Sequence, residues 1–250
     1  MKTAFITGAT SGIGKACATL LAQKGWRLIL TGRRADRLQA IQQDLGKITQ
    51  VQTLCYDVRD RNATQAAIQT LSAEWQNIDV LLNNAGNAHG LDLIQEGSYT
   101  DWDAMIDINV KGLLYTTEAI LPFMLKQKSG HIINIGSIAG KEVYAKGAVY
   151  CASKSAVHSL TEGMRIDLNA EGIKVSMVNP GLVETEFSLV RFKGDAQRAA
   201  QVYRNMQPLS AEDVANVIEW VIEAPKHVNI AETLLLPLAQ ASATIVHRQE

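Results

Sequence analysis

Seven short apolar runs recur along the chain: TAFIT (3–7), RLILT (27–31), VQTLCYD (51–57), IDVLLNN (78–84), HIINIGS (131–137), IKVSMVN (173–179) and ETLLLP (232–237). Each is dominated by bulky apolar residues and too short for a helix, so each predicts a strand. Segments 12–25, 34–45, 60–75, 100–127, 147–170 and 211–223 instead repeat apolar residues every three or four positions, as Leu38, Ile41 and Leu45 do, and predict helices. Strands that are apolar almost throughout must be covered on both faces, and the intervening helices supply that cover. The pattern therefore predicts an α/β chain with a single doubly wound, seven-stranded parallel sheet, right-handed crossovers and ligands at the carboxyl ends of the strands.

Composition narrows this further. At 250 residues, 47% hydrophobic and 20% charged, the chain suits one domain over 1–250 and is not a disordered polypeptide. The net charge of −1, from 24 basic and 25 acidic residues, offers no nucleic-acid surface. Cys17, Cys55 and Cys151 are odd in number and far apart, which implies reduced thiols, a cytoplasmic setting and no metal site. No apolar run reaches the length of a membrane span, and the run in MKTAFITGAT is too brief for a secretory signal. The least regular stretch, 181–207, follows the sixth predicted strand and is a candidate lid over a ligand.

Chemistry concentrates at the ends of the predicted strands. TGATSGIG (7–14) sits between the first strand and the first helix, where glycine lets the backbone approach a pyrophosphate and the helix start offers unpaired N–H groups. Arg33 and Arg34 stand just past the second strand, where an acidic residue would select NAD and a guanidinium suits the 2′-phosphate of NADP. Asp36 belongs to the first turn of the following helix. YCASK (150–154) puts Tyr150 and Lys154 four apart, on one helix face. A hydride arriving at a carbonyl carbon leaves an oxygen that needs a proton, and a tyrosine can supply it if its pKa falls. Lowering a phenol from about 10 to about 7.5 takes roughly 3.4 kcal/mol. A cation about 4 Å away contributes on the order of 4 kcal/mol at an effective dielectric of 20, so the field of Lys154 is expected to suffice.

Glycines 8, 12 and 14 depart from the Gly-x-Gly-x-x-Gly spacing and match Thr-Gly-x-x-x-Gly-x-Gly; with the later motifs, the chain resembles the short-chain dehydrogenase/reductase family. The resemblance implies a Rossmann domain and NADP(H) held by Gly8, Thr10, Ser11, Gly12, Ile13, Gly14, Arg33 and Arg34. Asp57 and Val58 would contact the adenine, and Asn84, Ala85 and Gly86 of NNAG would shape the floor beside the cofactor. Pro180, Gly181, Val183 and Thr185 match the segment that packs on the nicotinamide carboxamide. It also implies a tetrad of Asn109, Ser137, Tyr150 and Lys154, read with Ser137 ending the fifth strand. Tyr150 would be the general acid or base, Ser137 would bind the substrate oxygen, Lys154 would hold the nicotinamide ribose, and Asn109 would hold a water beside Lys154.

VRFKGD (190–195), HVNI (227–230) and the terminal VHRQ are similar to the NADP-dependent 3-hydroxy acid dehydrogenase branch, which oxidises serine-like acids and reduces malonic semialdehyde. Arg191 could then pair with the carboxylate of a small anionic substrate. KEVYAKGAV (141–149) and GLVETEF depart from that branch. An NADPH-dependent sulfoacetaldehyde reductase producing isethionate uses the same frame and is the second expectation; a catalytically silent NADP-binding regulator is the third. By analogy with the family, the helices of 100–127 and 147–170 would pair subunits of a homotetramer. His89 and His158 receive no catalytic role.

Overall fold

The computed structural model describes residues 1–249. Its strands are β1 (Thr3–Ile6), β2 (Arg27–Gly32), β3 (Val51–Cys55), β4 (Val80–Asn83), β5 (Gly130–Ile135), β6 (Ile173–Pro180) and β7 (Glu232–Leu235). All neighbours pair in parallel, in the order β3-β2-β1-β4-β5-β6-β7. Winding runs outward from β1 to β3, then resumes on the other side of β1 with β4. That reversal opens a crevice past the carboxyl ends of β1 and β4, where doubly wound sheets bind ligands.

Alternation along buried strands builds two cores. Ala4 and Ile6 point to the face covered by α1 (Gly12–Gln23), α2 (Ala35–Leu45) and α9 (Ala211–Glu223), packing with Leu21, Leu38 and Ile218. Phe5 and Ile29 point to the opposite face, toward α3 (Arg61–Gln69) and α5 (Gly112–Gln127), with Ile68 and Ile120. α6 (Ala148–Leu168) lies along β6 on that face. The edge strand β7 exposes one face, with Glu232 and Leu234 turned outward.

Three departures from the expected elements matter. The segment 60–75 divides into α3 and a 3₁₀ turn at Ala73–Trp75, with the Thr70 hydroxyl donating to the Ala67 carbonyl as α3 ends. The segment 100–127 is not one α-helix. α4 (Tyr99–Ile106) passes into a π-helical turn over Asp107–Lys111 before α5 begins. Stretch 181–207 contains two short helices, α7 (Phe187–Arg191) and α8 (Ala196–Gln201), each too brief to show a periodicity. β3 and β5 also end earlier than read. Asp57 and Val58 follow β3, and Ser137 lies beyond β5 at the head of a 3₁₀ turn, Ile138–Gly140.

Among the described residues no helix is long and apolar enough to cross a membrane, and Cys17, Cys55 and Cys151 are free thiols. His131 of β5 is buried, its Nε2 2.8 Å from Ser176 Oγ on β6. Burial, and to a lesser degree Lys174, push its pKa from 6.5 down to about 3. The folded chain thus keeps His131 neutral where the unfolded chain would protonate it. Its contribution to stability is intact above the unfolded value and is lost as pH falls toward the folded one. His131→Asn is expected to shallow the loss of urea stability between about pH 7.5 and about pH 4.5; an unchanged slope would remove His131 from the acid response.

Candidate active site

The phosphate loop is fastened to β4 by backbone and side chain together. Thr7 Oγ1 accepts from the N–H groups of Asn84 (3.0 Å) and Ala85 (2.9 Å), while Asn84 Nδ2 donates to the carbonyls of Thr7 (2.9 Å) and Gly8 (3.2 Å). This closeness requires glycine. A Cβ at Gly14 would lie 2.5 Å from both Asn84 Nδ2 and the Gly8 carbonyl oxygen, and Gly8 itself has φ +65°. The first turn of α1 carries no acidic residue, and the Ser11 hydroxyl does not cap it. Its amides and dipole end therefore suit an anion, and the cradle fits a pyrophosphate.

Arg34 arches back over this loop, Nη2 donating to Thr10 Oγ1 (2.9 Å) and Ser11 Oγ (3.0 Å). Its Nη1 meets Glu186 Oε2 at 3.1 Å, and Arg37 holds the same carboxylate at 2.7 and 2.9 Å. Arg33 is half exposed, 3.4 Å from Asp57 Oδ2. Partial burial would raise the Asp57 pKa, but the hydrogen bonds and charge of Arg59, with Arg33, outweigh it and hold the carboxyl below its ordinary value. Two guanidinium groups thus border the crevice where a 2′-phosphate would need them.

One cavity of roughly 530 Å³ runs from this loop to the ends of β5 and β6. Gly8, Thr10, Ser11, Gly12, Ile13, Arg33, Arg34, Asp57, Val58, Asn84, Ala85 and Gly86 line one end; Ser137, Tyr150, Lys154, Pro180, Gly181, Val183, Thr185 and Arg191 line the other. Of the residues singled out from the sequence, only Gly14 and Asn109 stand back from it. Gly14 lies under Gly8. Asn109 occupies the π-helical turn, its Oδ1 accepting from Asn87 N (2.9 Å) and its Nδ2 donating to Asn87 O (2.9 Å) and Ser153 Oγ (3.0 Å).

Tyr150 and Lys154 share the first turns of α6, yet their side chains are not hydrogen-bonded to each other among the described residues. Lys154 Nζ donates to the Ile135 carbonyl (2.9 Å), and burial pulls its pKa from 10.5 to about 8. The expected lowering of Tyr150 by Lys154 is not what this structure has. Burial raises the phenol well above 10.0, Tyr144 and Cys151 add to the rise, and the opposing influences are Ser137 and the charge of Arg191. Loss of solvent around a phenolate is the larger effect here.

Arg191 stands over the phenol's ring, its guanidinium 5.7 Å from that centroid and 5.5 Å from that of Tyr144. Its Nε donates to Gly90 O (3.0 Å) and its Nη1 to Tyr144 Oη (3.0 Å). Phe187 leans on the Tyr150 ring with centroids 5.7 Å apart. Sequence reading missed Tyr144, Phe187 and Glu186, whose contacts with Arg191, Tyr150 and Arg34 cross long chain separations. The nearest signal was that KEVYAKGAV and GLVETEF, where they lie, depart from the branch.

A model of the short chain dehydrogenase family matches residues 2–195. The NADP-dependent 3-hydroxy acid dehydrogenase of Escherichia coli (strain K12) is 45% identical over 247 residues, covering 98% of this chain and 99% of its own. Serine 3-dehydrogenase of Agrobacterium fabrum is 40% identical over 241 residues, 96% of each chain. The closed form of a serine dehydrogenase complexed with NADP+ superposes with a TM-score of 0.93 at 44% identity, covering 99% of this chain and 100% of that one. Matched by the family model over most of its length, and by these relatives over nearly all of it, this chain belongs to the short-chain dehydrogenase/reductase family.

Proposed function

We propose that this protein is an NADP(H)-dependent oxidoreductase interconverting a small anionic 3-hydroxy acid and its 3-oxo acid, such as a serine-like acid or the pair 3-hydroxypropionate and malonic semialdehyde. The observation that carries the substrate class is Arg191, held by Gly90 and Tyr144 at the rim of the cavity that Ser137, Tyr150 and Lys154 line. Fixed guanidinium geometry favours a planar carboxylate. The 40–45% identical relatives named for 3-hydroxy acids and serine support the same reading.

When bound, NADPH supplies the hydride. Gly8, Gly12 and the first turn of α1 hold its pyrophosphate, Arg33 and Arg34 its 2′-phosphate, and Asp57 and Val58 flank its adenine. Lys154 binds the nicotinamide ribose, and Pro180, Gly181, Val183 and Thr185 pack on the carboxamide. Tyr150, whose phenol carries its proton at neutral pH, delivers that proton to the substrate oxygen, and Ser137 stabilises the negative charge developing there. Asn109 acts behind Lys154, holding the Asn87 backbone and a water on the path to solvent.

The segment 181–207 serves as the lid. Its α7 carries Arg191, and Lys193 Nζ reaches Asp101 Oδ2 of α4 at 2.9 Å. Exposed apolar side chains on the helical pair α5 and α6, Leu114 and Ile166, support its use as a tetramer surface. The free thiols suit the cytoplasm. A sulfonate would accept the same guanidinium, so sulfoacetaldehyde is the second substrate; the intact Tyr150 and Lys154 pair disfavours a silent regulator.

Tyr150→Phe is expected to keep NADPH affinity while losing at least about a hundredfold in turnover, and wild-type rates in that variant would refute its role. Replacing Arg33 and Arg34 by alanine should weaken NADPH far more than NADH in a fluorescence titration; equal weakening would count against recognition of the 2′-phosphate. In an NADPH-consumption assay, malonic semialdehyde should outrun sulfoacetaldehyde and a neutral aldehyde of equal length, and Arg191→Ala should erase most of the advantage over the neutral compound. Preference for the neutral aldehyde by the wild type would overturn the anionic substrate class.

A further inference from the structure

Ser137 is fixed by residues that do not reach the substrate. Its backbone N–H donates to Asn179 Oδ1 at 3.1 Å, and Asn179, at the end of β6, is only 1% exposed. Gly136 makes room for this bond, since a Cβ there would lie 2.0 Å from the same oxygen. An asparagine amide has an acceptor end and a donor end, and reversing it would set a donor against the N–H of Ser137. Something must fix its direction.

Glu232 does so. Its Oε1 accepts from Asn179 Nδ2 at 2.6 Å, a short, charge-assisted contact from a side chain that can only accept when ionised. The same oxygen accepts from Lys141 Nζ at 2.7 Å. Lys141 directly follows the 3₁₀ turn that Ser137 begins. One carboxylate on the edge strand β7 therefore grips this turn twice, through Asn179 at its start and through Lys141 at its end. His158 Nδ1 of α6 stands 3.7 Å from the same oxygen.

We propose that Asn179 and Glu232 are positioning residues for Ser137: the Glu232 carboxylate orients the Asn179 amide, which holds the Ser137 backbone so that its hydroxyl faces the reacting carbonyl. This rests on the reading of Ser137 as the residue that binds the substrate oxygen. Neither group meets the substrate or moves a proton. Their effect is on geometry, where displacements of about 1 Å can cost up to about a hundredfold in rate.

The test compares Asn179→Ala, Glu232→Ala, Glu232→Gln and the double alanine variant in the intact protein. It reads kcat and KM with malonic semialdehyde, the NADPH dissociation constant, and hydrogen exchange of the Ser137 amide without cofactor. Glu232→Ala and Asn179→Ala should each lower kcat about tenfold. NADPH affinity should stay unchanged and the Ser137 amide should exchange faster. Glu232→Gln, which keeps an acceptor oxygen, should recover most of the rate and the protection. The double variant should be no worse than Asn179→Ala alone, because both act through one amide. Wild-type kcat and amide protection in Glu232→Ala, or single losses that multiply in the double variant, would overturn the proposal. Should Asn179→Ala not fold, the pair Glu232→Ala and Glu232→Gln decides, and equal behaviour of those two would overturn it. Ser137→Ala separates the two readings. If it turns over like wild type, the role of Ser137 in catalysis falls, while amide exchange still reports whether Glu232 and Asn179 hold its backbone.

Discussion

The site depends on how closely the turn after β1 and the turn after β4 can approach. Thr7 Oγ1 takes two amide protons from the NNAG turn, and Asn84 returns two hydrogen bonds to the carbonyls of Thr7 and Gly8. The two strands are adjacent in the sheet but more than seventy residues apart in sequence, so this lacing joins the outward-wound half of the molecule to the returning half. The phosphate loop lines the cavity from one side of this lacing and the NNAG turn from the other. A larger side chain at Gly8 or Gly14 would push the turns apart and open the floor.

Electrostatics follow from the depth of the crevice. Tyr150 and Lys154 are both buried, and loss of water moves each toward its neutral form, the phenol upward and the ammonium downward. A simple two-charge calculation neglects that desolvation and so predicts the wrong direction for the phenol. The guanidinium that stands over the aromatic ring comes instead from α7, which also carries Glu186 just before its start, bridging to Arg34 and Arg37. Arg34, Arg37 and Arg191 are thereby tied to the same short helix.

Most of the frame was readable from residue patterns because buried parallel strands and long amphipathic helices leave strong periodic signals. Ile29 and Leu81 sit in continuous apolar runs, and Leu38, Ile41 and Leu45 recur at helical spacing. Motifs local in sequence, such as TGATSGIG and YCASK, also pointed to residues that share the cavity. What escaped was whatever depends on contact between distant segments. Tyr144 reaches Arg191 across 47 positions, and Asn179 reaches Glu232 across 53. α7 spans five residues and α8 six, fewer than two turns each, so neither could announce itself. The π-helical turn was hidden because a single extra residue within a long helical stretch is too short to leave a period of its own.

That turn has an implication for the chain's tolerance of length changes. A π turn holds one residue more than an α turn, and each α-helical residue advances the azimuth by about 100°. Deleting a single position within Asp107–Lys111 would regularise the local hydrogen bonding yet swing Asn109 off the Asn87 backbone and rotate the inward face of α5 away from the sheet. The insertion is better understood as a phase adjuster between two helices than as a defect, so indels there should be far less acceptable than substitutions.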